Sequence, residues 1–125
     1  MKRAIGDPRL VVLVVEDELW VRLHAVEMIE DAGFEAVEAS NADEAIDILE
    51  SRNDIRILFT DIHMPGSMDG LRLAHAVRNR WPPIRLIVTS GHAVVAESAL
   101  PPGGRFFSKP YQACEIARTL NEFAA

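Results

Sequence analysis

A doubly wound α/β domain on a five-stranded parallel sheet is what the order of residues in this chain predicts. Three observations carry the prediction. Short apolar, β-branched runs alternate with segments of helical periodicity. The first run, Leu10 to Val15, is apolar at every position, as in a strand covered on both faces. Charged or hydroxyl residues stand directly after most of these runs.

Leu10 to Val15 is the first strand and stops abruptly at Glu16-Asp17-Glu18. From Leu19 to Ala32 the apolar residues Leu23, Val26, Ile29 and Ala32 recur at helical spacing, and Gly33 supplies a stop. Phe34 to Ala39 is a second strand. Asn41, with Glu44 three positions on, resembles a capping box, and Ala45, Ile46 and Leu49 give the helix it opens an apolar side up to about Ser51.

Ile55 to Thr60 is a third strand, ending at Asp61. A Pro65-Gly66 turn follows, then a helix from about Met68 to Trp81, ended by Pro82-Pro83. Ile84 to Thr89 and Arg105 to Ser108 are the fourth and fifth strands, and Tyr111 to Phe123 is a last helix with Ile116 and Leu120 on one face. Between His92 and Gly104 the run Pro101-Pro102-Gly103-Gly104 leaves room for about two helical turns, so the fourth helix is expected to be short or irregular.

The chain has 125 residues, 49% hydrophobic and 26% charged, which suits one domain over 10–125 behind a polar lead-in at 1–9, with no output domain. Thirteen Lys and Arg stand against 19 Asp and Glu, a net charge of −6, and no basic stripe is present to track phosphates, so direct nucleic-acid binding is not expected. Cys114 is the one cysteine; it excludes a disulfide framework and reads as a buried, inert thiol. The longest apolar run is far shorter than a membrane span and no signal-peptide pattern opens the chain, so a cytoplasmic protein without membrane association is expected.

In an open parallel sheet the ligand lies beyond the carboxyl ends of the strands. Those ends carry Glu16 and Asp17, Asp61, Thr89, and Ser108-Lys109-Pro110. Crowded carboxylates repel one another, and a hard cation with oxygen ligands makes the arrangement favourable; Mg²⁺ is the natural candidate. With Lys109 to pair with a phosphoryl oxygen, Thr89 to offer a hydrogen bond and Asp61 as a carboxylate nucleophile, the set is suited to phosphoryl transfer.

Val15-Glu16-Asp17-Glu18, Thr60-Asp61-Ile62-His63-Met64-Pro65, Met68-Asp69-Gly70, Val88-Thr89-Ser90-Gly91 and Lys109-Pro110 together resemble the signature of response-regulator receiver domains, of the kind seen in chemotaxis regulators, across essentially the whole chain. The resemblance implies a flavodoxin-like sheet in strand order 2-1-3-4-5. It implies a two-component phosphorelay in which a histidine kinase or phosphotransfer protein phosphorylates Asp61 and the conformational change is read by a downstream protein partner, with homodimerisation left open.

The same resemblance implies that Asp17 and Asp61 ligate Mg²⁺ directly, that Glu16 acts mostly through water and that the His63 backbone carbonyl adds a ligand. Thr89 would move towards the phosphoryl group and Phe106 would rotate in response, with a cis Lys109-Pro110 bond. Phe106 stands where a tyrosine is often found, and without the hydroxyl it cannot form the outward hydrogen bond. The only reactions expected of such a chain are its own phosphotransfer and autodephosphorylation, the latter tuned by His63.

Single residues also have plainer readings. Glu16, Asp17 and Glu18 together suit a helix N-terminus. Asp69-Gly70 reads as a turn with a helix cap. His24, His63, His75 and His92 are too scattered for a metal site. Two other functions use the same residues. A Mg²⁺-dependent phosphohydrolase with Asp61 as nucleophile would want an acid where His63 stands and a cap domain for which the chain has no space. An adaptor that is never phosphorylated would not need Asp17, Asp61, Thr89 and Lys109 together.

Overall fold

The computed structural model describes residues 10–91 and 95–125; the lead-in at 1–9 and His92 lie outside them. The elements run β1 (Val11–Val15), α1 (Leu19–Asp31), β2 (Glu35–Ala39), α2 (Ala42–Ser51), β3 (Ile55–Asp61), α3 (Gly70–Arg80), β4 (Arg85–Ser90), a 3₁₀ turn (Glu97–Ala99), β5 (Arg105–Ser108) and α4 (Ala113–Ala124). All neighbouring strands are parallel, in the order β2-β1-β3-β4-β5. The fold is thus the flavodoxin-like one expected. Between β4 and β5 the described residues form only the three-residue 3₁₀ turn, matching the short or irregular fourth helix.

The period of two along a strand sorts its side chains between two cores. Val11, Leu13 and Val15 of β1 face a cluster completed by Ala45 and Leu49 of α2 and Leu73 and Val77 of α3. Val12 and Val14 face a second cluster with Met28 and Ile29 of α1 and Ile116, Leu120 and Phe123 of α4. Every residue of β1 is therefore buried, which is why the run carries no polar position. The β1–β3 register shifts between Val11, opposite Ile55, and Val12, opposite Ile57, and Arg56 is left between them and exposed.

Helix α2 begins as its sequence suggests: Asn41 Oδ1 accepts from the Glu44 N–H at 2.9 Å, a contact worth roughly 1 kcal/mol. The return bond is displaced by one residue, because Glu44 Oε1 takes the Ser40 N–H at 2.8 Å. Gly33 ends α1 with a φ of 96°, a left-handed conformation that glycine adopts without strain. No helix among the described residues is long and apolar enough to cross a membrane.

Several expectations need correction. On α1 Val26, Ile29 and Ala32 pack inward as expected, joined by Ala25 and Met28, whereas Leu23 is 39% exposed. Leu23 lies about 200° around the helix from Ala25, so the two cannot face the same core. Cys114 is exposed, not buried, because it precedes the inward Ile116 by two residues and points the other way. Helix α3 starts at Gly70 rather than Met68: Asp69 is its N-cap and accepts from the Arg72 N–H at 2.9 Å. Helix α4 starts at Ala113 rather than Tyr111, whose ring instead packs edge-on against Phe59 of β3, 5.8 Å between centroids.

Candidate functional site

The sheet order places the candidate residues. The chain leaves β1 towards β2 and then returns across β1 to β3, so the carboxyl ends of β1 and β3 are adjacent and the crossovers after them part to opposite faces. Glu16 and Asp17 follow β1, and Asp61 is the last residue of β3. One carboxylate oxygen from each of Glu16, Asp17 and Asp61 lies within 4.8 Å of the others. Glu16 and Asp61 are 5% and 6% exposed, while Asp17 opens the cluster to solvent.

Lys109, just beyond β5, reaches across the sheet end into this cluster. Its Nζ lies 3.0 Å from Glu16 Oε1 and 3.2 Å from Asp61 Oδ1, and its own N–H donates to the Ser90 carbonyl at 2.8 Å. The Lys109-Pro110 peptide is cis. Burial disfavours the Lys109 charge, but the hydrogen bond to Glu16 and the charges of Asp61 and Glu16 outweigh it and hold its pKa above that of an ordinary lysine. Burial pushes the Glu16 carboxyl the other way from a typical carboxylate, upwards, against the lowering effect of the Glu18 N–H and Lys109. Three carboxylates thus face one ammonium.

That arrangement fits a divalent cation. Asp61 Oδ1 is buried and has no hydrogen-bond partner, its approach to Lys109 being an ion pair without the geometry of a hydrogen bond. The single ammonium is shared between Glu16 and Asp61, which leaves that oxygen able to take a further cationic partner. A hard ion such as Mg²⁺ takes oxygen ligands and relieves carboxylate repulsion, and Asp17, on the solvent side, leaves it a route in.

Thr89 lies directly beside Asp61 in the β3–β4 register, 1% exposed, and its carbonyl accepts from the Ile62 N–H at 2.9 Å. Phe106 of β5, paired with Val88 of β4, is half-buried against the α2–α3 core. His63 stands in the loop leaving β3 with its ring exposed. Glu18 is the N-cap of α1 but makes no side-chain cap; it is the Glu16 carboxylate that accepts the Glu18 N–H, at 3.1 Å. The helix-terminus reading of the acidic run therefore holds for one bond of Glu16 and leaves Asp17 unused.

Two contributors carry no strong sequence signal. Gly70 sits so close to β3 that a Cβ there would overlap the Asp61 carbonyl oxygen and lie 2.9 Å from Thr60 Oγ1. The Asp69-Gly70 pair hides this role, since a turn with a helix cap alone explains it. Arg22 of α1 donates from Nη1 to the Glu16 carbonyl at 2.8 Å and pairs through Nε with Glu38 Oε1 at 2.9 Å. Its position on the helix distinguishes it from no other surface arginine.

The family model for the response regulator receiver domain matches residues 12–121. The sensor kinase CckA of Brucella abortus (strain 2308) is 35% identical over 115 residues, covering 89% of this chain and 12% of the kinase. The response regulator receiver protein CpdR of the same organism is 28% identical over 114 residues, covering 89% of this chain and 93% of that protein. The crystal structure of a response regulator receiver protein from Sinorhizobium medicae WSM419 superposes with a TM-score of 0.85 at 26% identity, covering 92% of this chain and 94% of the other. With the acidic cluster and its lysine at the switch point of the same sheet, the chain belongs to the response regulator receiver domain family, the phosphoaccepting domain of two-component signalling.

Proposed function

We propose that Asp61 is the phosphoacceptor of this receiver, and that Glu16, Asp17 and Asp61, with the His63 backbone carbonyl, hold Mg²⁺. The observation that carries the reading is Asp61 Oδ1, buried without a hydrogen bond in a cluster of three carboxylates that a single lysine faces. Membership in a signalling family removes the phosphohydrolase alternative.

The donor is a phosphohistidine on a kinase or phosphotransfer protein. An Asp61 carboxylate oxygen attacks phosphorus, the new P–O bond forms as the P–N bond breaks, and the imidazole departs with that electron pair and takes up a proton. Mg²⁺, when bound, neutralises the phosphoryl oxygens. Lys109 Nζ exchanges part of its contact with Asp61 for a phosphoryl oxygen, which needs little movement because it already lies 3.2 Å from the carboxylate. Thr89, beside Asp61 on β4, turns its hydroxyl to another oxygen, and Phe106 repacks in the space this leaves.

The adduct adds about two negative charges where carboxylates already crowd, and that charge biases the packing of β4, β5 and the loops between them. A downstream protein reads the shifted population. Loss of the phosphoryl group by water attack returns the chain to its resting state, with His63 at the mouth of the site to tune it.

Incubation with Mg²⁺ and acetyl phosphate, followed by intact-mass measurement, tests the reading. One phosphoryl group should be added, and it should be absent after chelation and in Asp61→Asn. An adduct that persists in Asp61→Asn, or none at all with Mg²⁺ present and donor intact, would sink it.

A further inference from the structure

We infer that Arg22 is a positioning residue for the acidic cluster, clamping the backbone of the β1–α1 loop to β2 so that Glu16 and Asp17 are set for the cation before it arrives. The inference rests on the reading of the site just given and concerns a residue outside the cluster.

The loop that carries Glu16 and Asp17 leads straight into α1, and α1 has a weak start. Its N-cap, Glu18, makes no side-chain cap, and no acidic residue occupies its first turn. Arg22 ties the loop down by donating, which leaves the first-turn N–H groups as they are. From within the helix it reaches back to the Glu16 carbonyl at 2.8 Å, and its Nε is held by Glu38 Oε1 at 2.9 Å on β2. The Glu16 N–H is meanwhile bound to the Ala39 carbonyl, also on β2, at 3.1 Å. The peptide groups on both sides of Glu16 are thereby tied to one strand.

Such a clamp has something to resist. Three carboxylate oxygens within 4.8 Å face one ammonium when no cation is present, and an outward swing of the loop bearing Glu16 and Asp17 would relieve the remaining repulsion. A guanidinium suits the task because it is a rigid fork with donors in different directions, serving a carbonyl and a carboxylate at once; a lysine ammonium on a flexible stem does not hold both in that geometry. The Arg22 side chain is 15% exposed, against 40% for Glu38, so the contact is better sheltered than an ordinary surface pair.

The test uses the whole chain and three variants: Arg22→Ala, Arg22→Lys and Glu38→Gln. Mg²⁺ is titrated while the backbone amides of Glu16, Asp17 and Glu18 are followed by NMR, and hydrogen exchange of the same amides is measured without metal. Arg22→Ala should weaken Mg²⁺ binding roughly 10-fold, as loss of groups that orient metal ligands does. It should also speed exchange at Asp17 and Glu18, while phosphorylation at saturating Mg²⁺ recovers towards the wild-type rate. Arg22→Lys should restore only part of the affinity, and Glu38→Gln should fall between wild type and Arg22→Ala.

Unchanged Mg²⁺ affinity and exchange in both Arg22 variants, with only the unfolding midpoint lowered, would overturn the inference and leave Arg22 a stability residue. Should Arg22→Ala not fold, Arg22→Lys and Glu38→Gln carry the comparison, and wild-type affinity in both would overturn it equally. A wild-type chain that binds no Mg²⁺ would sink the reading of the site as well, whereas wild-type binding with indifferent variants sinks only the role of Arg22.

Discussion

Gly70 opens α3 against the backbone of Asp61, with no space between them for a β-carbon. The Gly70 N–H donates to the Ile62 carbonyl at 2.9 Å, and Thr60 Oγ1 donates to the Asp61 carbonyl at 2.9 Å, so the helix start and the end of β3 are locked together around the proposed phosphoacceptor. Backbone conformation is not the reason for glycine here, since its φ is not positive.

Gly70→Ala should therefore destabilise the fold by about 1–3 kcal/mol, the range for overpacking a filled site, even though alanine is the better helix former. The neighbour that must yield is backbone, not a flexible side chain. Chemical denaturation measures the cost, and phosphorylation by acetyl phosphate should slow as well because Asp61 is displaced. A variant as stable and as reactive as wild type would show that the close contact carries nothing.

Removing one charge from the cluster should have the opposite effect on the metal-free protein. In Asp61→Asn one of three crowded carboxylate charges is gone and the amide N–H can donate to a neighbouring carboxylate, which together outweigh the lost ion pair with Lys109. A gain of about 1 kcal/mol in unfolding free energy without Mg²⁺ is expected, the order of one relieved like-charge interaction. Mg²⁺ should stabilise wild type by binding the folded state and do so much less for Asp61→Asn. Equal Mg²⁺ stabilisation of the two proteins would remove Asp61 from the ligand set.

The sheet and the placement of the candidate residues were legible because each obeys a local rule. A run with no polar position, as in Leu10 to Val15, has few structures open to it other than a strand with both faces covered, and in such a sheet whatever follows the strand lies at its ligand-binding edge. That put Asp17, Asp61, Thr89 and Lys109 on one edge from sequence alone. Helix faces were less legible where apolar residues surround the axis. Helix α1 carries Leu19, Trp20 and Leu23 outward as well as Ala25, Met28 and Ile29 inward, so periodicity offered two stripes and packing chose between them. Gly70 and Arg22 act through contacts with residues on other elements, and no spacing encodes such contacts.

The choice between those stripes is itself measurable. Ile29→Ala empties a fully buried position against β1 and should cost about 2–5 kcal/mol, whereas Leu23→Ala on the exposed face should stay within about 0.5 kcal/mol. Comparable losses for the two would mean that α1 is rotated from the orientation described.

Tyr111 is the one tyrosine in the chain, so its ionisation can be followed by absorbance without interference from another phenol. Burial raises its pKa above the ordinary 10.0, with smaller contributions from Lys109, which lowers it, and from Glu16 and Asp61, which raise it. The native state therefore holds the phenol proton more tightly than the unfolded chain does. The stability this contributes is present in full below pH 10.0 and is lost as pH rises from there through the folded value. Tyrosinate absorbance should titrate above pH 10.0 in the folded protein and return to the ordinary value in denaturant. Tyr111→Phe keeps the edge-on packing against Phe59 and should lose less stability between neutral pH and that alkaline range than wild type does. A folded protein whose tyrosine titrates as in denaturant would place the phenol in solvent and detach Tyr111 from the end of β3.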